Sequence, residues 1–401
     1  MTPTDKPLQP RSVDAKELRV ALFSGNYNYV RDGANQALNR LVGYLLRQDV
    51  KVRVYAPTVE HPAFPPTGDL VDIPAVPIPG RSEYRLPLAL SPRVRRDLAA
   101  FNPNVVHISS PDFAGHRAVT WARKRKIAAV ASVHTRFDTY CAYYGLGFLE
   151  PLARDIMRRL YQRCEAVMVP AESIAAILQA QRMNRNIAIW ARGVDREQFN
   201  PERRDMEWRR SVGIADNELV IVFLGRIVLE KGLDVFADAI KGVEARGIKH
   251  RVLVIGDGPA RPWFEEQLPG AIFLGHQTGT DLARALASSD VFLNPSTTEA
   301  FGNVTLEAMA SGLPVVAAAA TGATTLVRSG MTGVLVDPTD IDAYADALSA
   351  YSIDPDLRRR QGDAGLEFAK TMDWDTINSA VVEIYLRAIA KRERLTRLTG
   401  R

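Results

Sequence analysis

Short apolar runs alternate with longer stretches of helical period along this chain. RVALFSG (19–25), KVRVYAP (51–57), VVHISS (105–110), IAAVASVHT (127–135) and AVMVPA (166–171) form a first series. LVIVFLG (219–225), HRVLVIG (250–256), AIFLG (271–275), DVFLNPS (290–296) and LPVVAAA (313–319) form a second. All are of strand length, and most are apolar throughout rather than on alternate residues, as in parallel strands buried on both faces. Amphipathic stretches such as ANQALNRLVGYLLRQ (34–48) and PLARDIMRRLYQRC (151–164) lie between them. This alternation predicts βαβ units, and two series predict two doubly wound α/β domains. The polar stretch GVDREQFNPERRDMEWRRSVG (193–213) is expected to hold the linker.

In open parallel sheets ligands bind beyond the carboxyl ends of the strands. Chemistry is therefore expected in the loops after each run and, with two such domains, in a cleft between them.

Composition narrows the reading. At 401 residues the chain exceeds one ordinary core, and 46% apolar with 24% charged residues is the balance of a soluble globular protein. No stretch approaches about 18 uninterrupted apolar residues, so no membrane-spanning helix is expected. Residues 1–18, MTPTDKPLQPRSVDAKEL, lack an apolar signal-peptide core and are expected to be a disordered leader. Cys141 and Cys164 sit in no metal or redox spacing and suit a reducing cytoplasm.

The net charge of +5 is uneven. Residues 1–200 carry 28 Lys and Arg against 18 Asp and Glu, whereas the rest carry 23 against 28. A basic first half implies an anionic partner, either nucleic acid or an anionic membrane surface. No helix-turn-helix, aromatic RNP or Cys/His finger pattern favours nucleic acid.

Three stretches of the second half carry candidate chemistry. In FLGRIVLEKGLD (223–234), Arg226 and Lys231 follow a strand end, where a planar fork and a point charge suit a diphosphate. In VIGDGPARPWFEEQL (254–268), Gly256 and Gly258 permit a tight turn and close backbone approach of a ligand. In STTEAFGNVTLEAMASGLPVV (296–316), Glu299 and Glu307 flank Gly302 and Asn303 at the start of a helix. The free N–H groups there make an anion site, and each carboxylate can accept two bonds from a vicinal diol.

The ordered set GRIVLEKGLD, VIGDGP, DVFLNPSTTEAFGNVTLEAMASGLPVVAAAATG and GMTGVLVDP, over residues 219–338, resembles the retaining family-4 glycosyltransferases of GT-B fold. That resemblance implies two Rossmann-like domains with the donor held mainly by the second. It implies a nucleotide-sugar donor site of Gly33, Arg226, Lys231, Gly256, Gly258, Glu299, Ala300, Phe301, Gly302, Asn303, Val304 and Glu307. Glu299 would contact the transferred sugar, Glu307 the ribose, and Arg226 with Lys231 the diphosphate. His134 matches the family's active-site histidine, which gives a catalytic set of His134, Arg226, Lys231 and Glu299. Gly33 matches the flexible glycine loop, with Ala34 where a second glycine is common. The family is metal-independent, so no metal or other cofactor is expected. Asp340 with Asp342 and Asp373 with Asp375 have a metal-binding spacing but are read as capping or turn acids.

The stretches VHTRFDTYCAYYGLGFLEP (133–151) and RNIAIWARGVDREQFNP (185–201) are similar to the lipid-directed branch, which includes GDP-mannose-dependent mannosyltransferases and sulfoquinovosyl-diacylglycerol synthases. An acceptor groove of Arg136, Phe137, Tyr140, Tyr143 and Tyr144 is expected. YRLPLALSPRVRRDLAAF (84–101) mixes leucines with arginines and could meet an anionic surface. The expected enzyme moves a sugar from GDP-mannose or a UDP-sugar to a diacylglycerol, phosphoinositide or ceramide-type lipid. It would work on the inner face of the cytoplasmic membrane. A soluble or polysaccharide acceptor, or a degenerate sugar-nucleotide-binding module, are the alternatives. The first domain is expected over 19–197 and the second over 205–372, with helix 376–395 crossing back to the first. Oligomeric state is not legible.

Overall fold

The structure, a computed structural model, describes residues 15–30, 32–78, 81–134, 148 and 150–399. The chain divides into two compact units, Met1–Trp190 with Asp375–Arg401, and Ala191–Trp374.

The first unit contains β1 (Arg19–Phe23), β2 (Lys51–Ala56), β3 (Asp69–Asp72), β4 (Ala75–Ile78), β5 (Arg81–Pro87), β6 (Val105–Ile108), β7 (Ala128–Ser132), β8 (Ala166–Val169) and β9 (Ile187–Ile189). Seven of these form one sheet in the order β3-β2-β1-β6-β7-β8-β9, and each pairing is parallel. The order reverses between β1 and β6, the place where such sheets bind ligands. β6, β7 and β8 are buried along their whole length, which is why they are apolar without alternation. β4 and β5 form a separate antiparallel pair.

The second unit contains β10 (Leu219–Leu224), β11 (His250–Ile255), β12 (Ile272–Gly275), β13 (Val291–Asn294), β14 (Val315–Ala318) and β15 (Gly333–Val336). Their order, β12-β11-β10-β13-β14-β15, is again parallel and again reverses beside the first strand. Side chains of one sheet face pack with the helix Asn303–Ala310, through Leu306 and Met309. Those of the other face pack with Leu233–Ala245 and Ile341–Ile353, through Phe236, Ile240, Tyr344 and Leu348. Both units thus have the doubly wound architecture that the sequence predicts.

Three local differences have physical causes. The polar stretch 193–213 is not free of the second unit. It forms the helix Met206–Ser211, whose fully buried Arg209 donates to the carbonyls of Ser288 (2.8 Å) and Glu218 (2.7 Å) and to Asp290 Oδ2 (3.1 Å). The division between units therefore falls before this stretch rather than within it. Residues 1–14 lie outside the described residues, but 15–18 do not behave as a leader. Ala15–Glu17 form a 3-10 turn, Leu18 is fully buried, and its carbonyl accepts from Lys51 N–H. In 84–101 two of the four leucines belong to the core and Leu86 is half-buried. Leu90, Val94 and Leu98 are buried, while Leu88, Arg93, Arg95 and Arg96 are exposed.

From Asp375 onward the C-terminal helix Trp374–Thr399 packs on the first unit. Arg392 is ion-paired with buried Glu165, Lys391 Nζ donates to the Glu165 carbonyl at 3.1 Å, and Arg47 pairs with Asp375. Glu165 Oε2 also accepts from Ala129 N–H at 2.6 Å, which ties the helix to β7.

Candidate functional site

In the second unit the expected donor residues gather at the carboxyl ends of β10, β11 and β13. β10 ends at Leu224, and the next residues turn sharply back over the loop after β11. Gly225 N–H donates to Ile255 O, and Ile227 N–H to Asp257 O. A Cβ on Gly256 would lie 1.9 Å from Gly225 O, and one on Gly258 would lie 2.3 Å from Ile227 O. The close approach these glycines permit is thus made by the chain's own 225–227 backbone. They seat the Arg226 loop, and Arg226 itself projects as an exposed guanidinium with no hydrogen bond or ion pair from its side chain among the described residues.

Lys231 ends the short turn Leu229–Lys231 and is half-buried. Its Nζ lies 3.0 Å from Oε1 of Glu299, sixty-eight residues further on. Glu299 is held through its backbone, because its carbonyl accepts from Thr321 Oγ1 at 2.8 Å. Gly322 leaves room for this loop, since a Cβ there would meet Glu299 O at 2.9 Å and Phe301 O at 3.0 Å. The Glu299 carboxylate lies against Gly302, where an added Cβ would be 3.2 Å from Glu299 Oε2.

Gly302 has φ +96° and caps the helix Asn303–Ala310 without any side-chain cap bond. Only glycine takes that conformation at low cost, and the N–H groups of the first turn have no partner within the helix. Asn303 Oδ1 is buried with no hydrogen-bond partner among the described residues. Phe301 is buried in the sheet face and anchors the loop, while Ala300 and Val304 are half-buried beside it. Glu307 is half-buried on the second turn, among buried Leu306 and Ala308. The helix mouth thus brings together Lys231, Glu299 and a helix N-terminus, with Glu307 on the helix's second turn and Arg226 in the loop after β10, at the same carboxyl end of the sheet. Such a set can neutralise a diphosphate and accept hydrogen bonds from sugar hydroxyls.

In the first unit, Gly33 opens the helix Gly33–Arg47, and Asp32 caps it by accepting from Asn35 N–H at 2.8 Å. Burial holds the Asp32 carboxyl above its ordinary range, against the hydrogen bonds of Asn35, Ala34 and Asn26. Asp112, at the switch point after β6, is placed likewise. It caps Phe113–Lys124 through Gly115 N–H and is raised chiefly by burial.

His134 lies two residues beyond β7 and is half-buried. Its Nε2 is 2.8 Å from Ser132 Oγ, and its ring meets Trp190 edge-on at 5.4 Å. Behind it stand three residues that sequence reasoning did not single out, Ser132, His107 and Tyr385. His107 Nε2 lies 2.8 Å from the same Ser132 Oγ, and His107 Nδ1 lies 2.8 Å from Tyr385 Oη. The signal was present in VVHI (105–108), where a histidine inside a buried strand demands partners.

The acceptor residues Arg136, Phe137, Tyr140, Tyr143 and Tyr144 lie outside the described residues. Among the described residues no group of three His, Cys, Asp or Glu is arranged to hold a metal. Asp340 caps Ile341–Ile353 by accepting from Ala343 N–H, and Asp375 pairs with Arg47.

Two family models match the chain. Glycosyl transferases group 1 covers residues 218–354, and Glycosyltransferase Family 4 covers residues 31–198. The sulfoquinovosyl transferase SQD2 of Arabidopsis thaliana is 32% identical over 92% of this chain and 73% of its own length. A GDP-mannose-dependent alpha-mannosyltransferase of Mycolicibacterium smegmatis is 30% identical over 94% of this chain and 99% of its own length. Among solved structures, HepE of Anabaena in complex with UDP aligns with a TM-score of 0.73 at 19% identity, covering 92% of this chain and 99% of that one.

Proposed function

The chain belongs to the group 1, family 4 glycosyltransferases and has their GT-B fold, and from that premise we propose that it is a retaining, metal-independent glycosyltransferase acting on a lipid. The donor would be GDP-mannose or a UDP-sugar. The acceptor would be a diacylglycerol, phosphoinositide or ceramide-type lipid at an anionic membrane surface on the cytoplasmic side.

The observation that carries the donor assignment is the Lys231–Glu299 contact at the mouth of the helix Asn303–Ala310, with Arg226 exposed in the loop after β10. In this reading the diphosphate takes Arg226, Lys231 and the helix N-terminus. Their fixed charge meets the negative charge that grows on the leaving group, an electrostatic contribution to rate. Glu299 accepts hydrogen bonds from the sugar, Glu307 from the ribose, and His134 contacts the sugar and phosphate. No carboxylate is assigned as a covalent nucleophile. The acceptor hydroxyl attacks from the face the diphosphate leaves, and a donor phosphate oxygen takes its proton.

The lipid assignment is supported by the helix Glu150–Tyr161 of the first unit. Leu152 and Ile156, one turn apart on it, are 59% and 46% exposed, and Phe148 just before it is 75% exposed. Arg159 is exposed on the same helix. Apolar side chains beside basic ones are the composition of a helix lying at an anionic lipid surface.

A thermal-shift panel of GDP, UDP and ADP, each alone and with its sugar, tests the donor assignment, because a ligand that binds only the native state raises its stability. One base is expected to raise Tm, and the rise is expected to shrink in Glu307→Ala. No rise with any nucleotide, or an unchanged rise in that variant, would count against the assignment.

A further inference from the structure

The four residues Tyr385, His107, Ser132 and His134 form one hydrogen-bonded row inside the first unit. Tyr385 Oη meets His107 Nδ1, His107 Nε2 meets Ser132 Oγ, and Ser132 Oγ meets His134 Nε2, each at 2.8 Å. Tyr385 and His107 are fully buried and Ser132 nearly so, while His134 stands at the half-exposed end. Trp190 faces both imidazoles edge-on, at 6.1 Å from His107 and 5.4 Å from His134.

Proton counting gives this row a direction. The Tyr385 hydroxyl is kept protonated by burial, and His107 Nδ1 is its only hydrogen-bond partner among the described residues. Were His107 to carry its proton on Nδ1, the tyrosine proton would be buried without an acceptor, at a cost of about 1–3 kcal/mol. Tyr385 therefore donates to Nδ1. Burial pushes the His107 pKa down to about 3, so its ring is neutral and holds a single proton, which must be on Nε2. His107 Nε2–H then donates to Ser132 Oγ. The serine has one proton of its own, and the acceptor within reach is His134 Nε2.

We propose that Tyr385, His107 and Ser132 are positioning residues that fix the tautomer of His134, with its proton on Nδ1 and its Nε2 accepting from Ser132. A protonated Nε2 would set two N–H donors against one serine oxygen and strand the serine proton. In the resting enzyme the His134 ring is thus neutral, with Nε2 taken up by the Ser132 hydroxyl and no lone pair on it free to act as a general base. That consequence for catalysis rests on the reading of His134 as a donor-site residue.

The row is tested by long-range 15N–1H correlation spectra of the full-length protein labelled at its six histidines. His134 is assigned by the signal lost in His134→Ala. The expected result is a protonated Nδ1 and an unprotonated Nε2 in the wild type. In Tyr385→Phe, which keeps the ring and removes the directing proton, the two nitrogen shifts of His134 should move toward each other. Ser132→Ala should do the same if Tyr385→Phe proves unstable. A wild-type His134 protonated on Nε2, or an unchanged pattern in the variants, overturns the proposal whatever the enzyme's activity. Release of nucleoside diphosphate from GDP-mannose and UDP-glucose by His134→Ala separates the two ideas. Full turnover there beside the expected tautomer would defeat the donor-site reading of His134 and with it the catalytic consequence, while the tautomer itself would stand.

Discussion

Lys231 Nζ lies 3.0 Å from Glu299 Oε1, so a cation assigned to a diphosphate and a carboxylate assigned to a sugar are paired with each other. Both are largely shielded, at 27% and 13% side-chain exposure. On the proposed roles, an arriving diphosphate would compete for the lysine, and the freed carboxylate would gain a lone pair for the sugar. The two residues should therefore be coupled in donor binding. Lys231→Ala should weaken binding of the nucleoside diphosphate by about tenfold or more, the worth of a charge-assisted hydrogen bond. Calorimetry on Lys231→Ala, Glu299→Ala and the double variant should give a coupling energy of at least about 0.5 kcal/mol, as for residues in contact. Strict additivity would separate their roles.

The glycines after β11 should prove structural first. A Cβ on Gly256 would lie 1.9 Å from Gly225 O, and Gly256 has φ +145°. Gly256→Ala is expected to destabilise the second unit by about 1–3 kcal/mol or more through forced backbone shifts, and to misplace Arg226. Gly270→Ala is the control, since nothing lies within 4 Å of its added methyl. Equal denaturant midpoints for the two variants would contradict the packing argument.

His107 gives the stability of the chain a pH dependence of known sign. Its folded pKa, about 3, lies below the unfolded value near 6.5. The stability of the neutral ring is therefore present above about pH 6.5 and lost as pH falls toward the folded pKa. The advantage of wild type over His107→Gln should shrink between about pH 7 and pH 5, by up to ~1.4 kcal/mol per unit. The raised carboxyls of Asp32 and Asp112 act with opposite sign, but they are common to both proteins and cancel in the difference. A constant difference in denaturant midpoint would mean that His107 is not buried as a neutral ring.

The exposed apolar residues of the helix Glu150–Tyr161 should matter for lipid and not for folding. Leu152→Glu with Ile156→Glu is expected to reduce sedimentation with phosphatidylglycerol-containing liposomes several-fold, through lost apolar insertion and added negative charge. Tm should stay near that of the wild type, because both side chains already face water. Equal sedimentation of variant and wild type would move the membrane contact elsewhere or remove it.

What could be read in advance follows from how each element is buried. The inner strands β1, β6, β7 and β8, and β10, β11, β13 and β14 in the second unit, are apolar because helices cover both faces, and they stand out as runs, as does the half-buried edge strand β12. The edge strands of the first unit do not. DLVD of β3 has exposed ends, β9 is only half-buried, and both depend on a neighbour that no local pattern reveals. Arg209 was hidden for the opposite reason. A charged residue in a polar stretch looks like solvent-facing linker, yet here it is fully buried on backbone carbonyls and Asp290. At the candidate donor site, residue types and order were legible, whereas the contact between Lys231 and Glu299 depends on how the loops after β10 and β13 meet. The row behind His134 spans 278 positions from His107 to Tyr385, a separation that only the fold closes.

The most direct measurement is release of nucleoside diphosphate from GDP-mannose, UDP-glucose and UDP-glucuronate, with vesicles containing diacylglycerol, phosphatidylinositol or ceramide, by wild type and Arg226→Ala side by side. The expected result is lipid-dependent release from one donor, with the sugar recovered on the lipid in its original anomeric configuration. Arg226→Ala should turn over more slowly by a factor on the order of 10², the usual loss for a group that stabilises transition-state charge. No release from any donor would favour a binding module without catalysis, and equal turnover by Arg226→Ala would remove the arginine from the site.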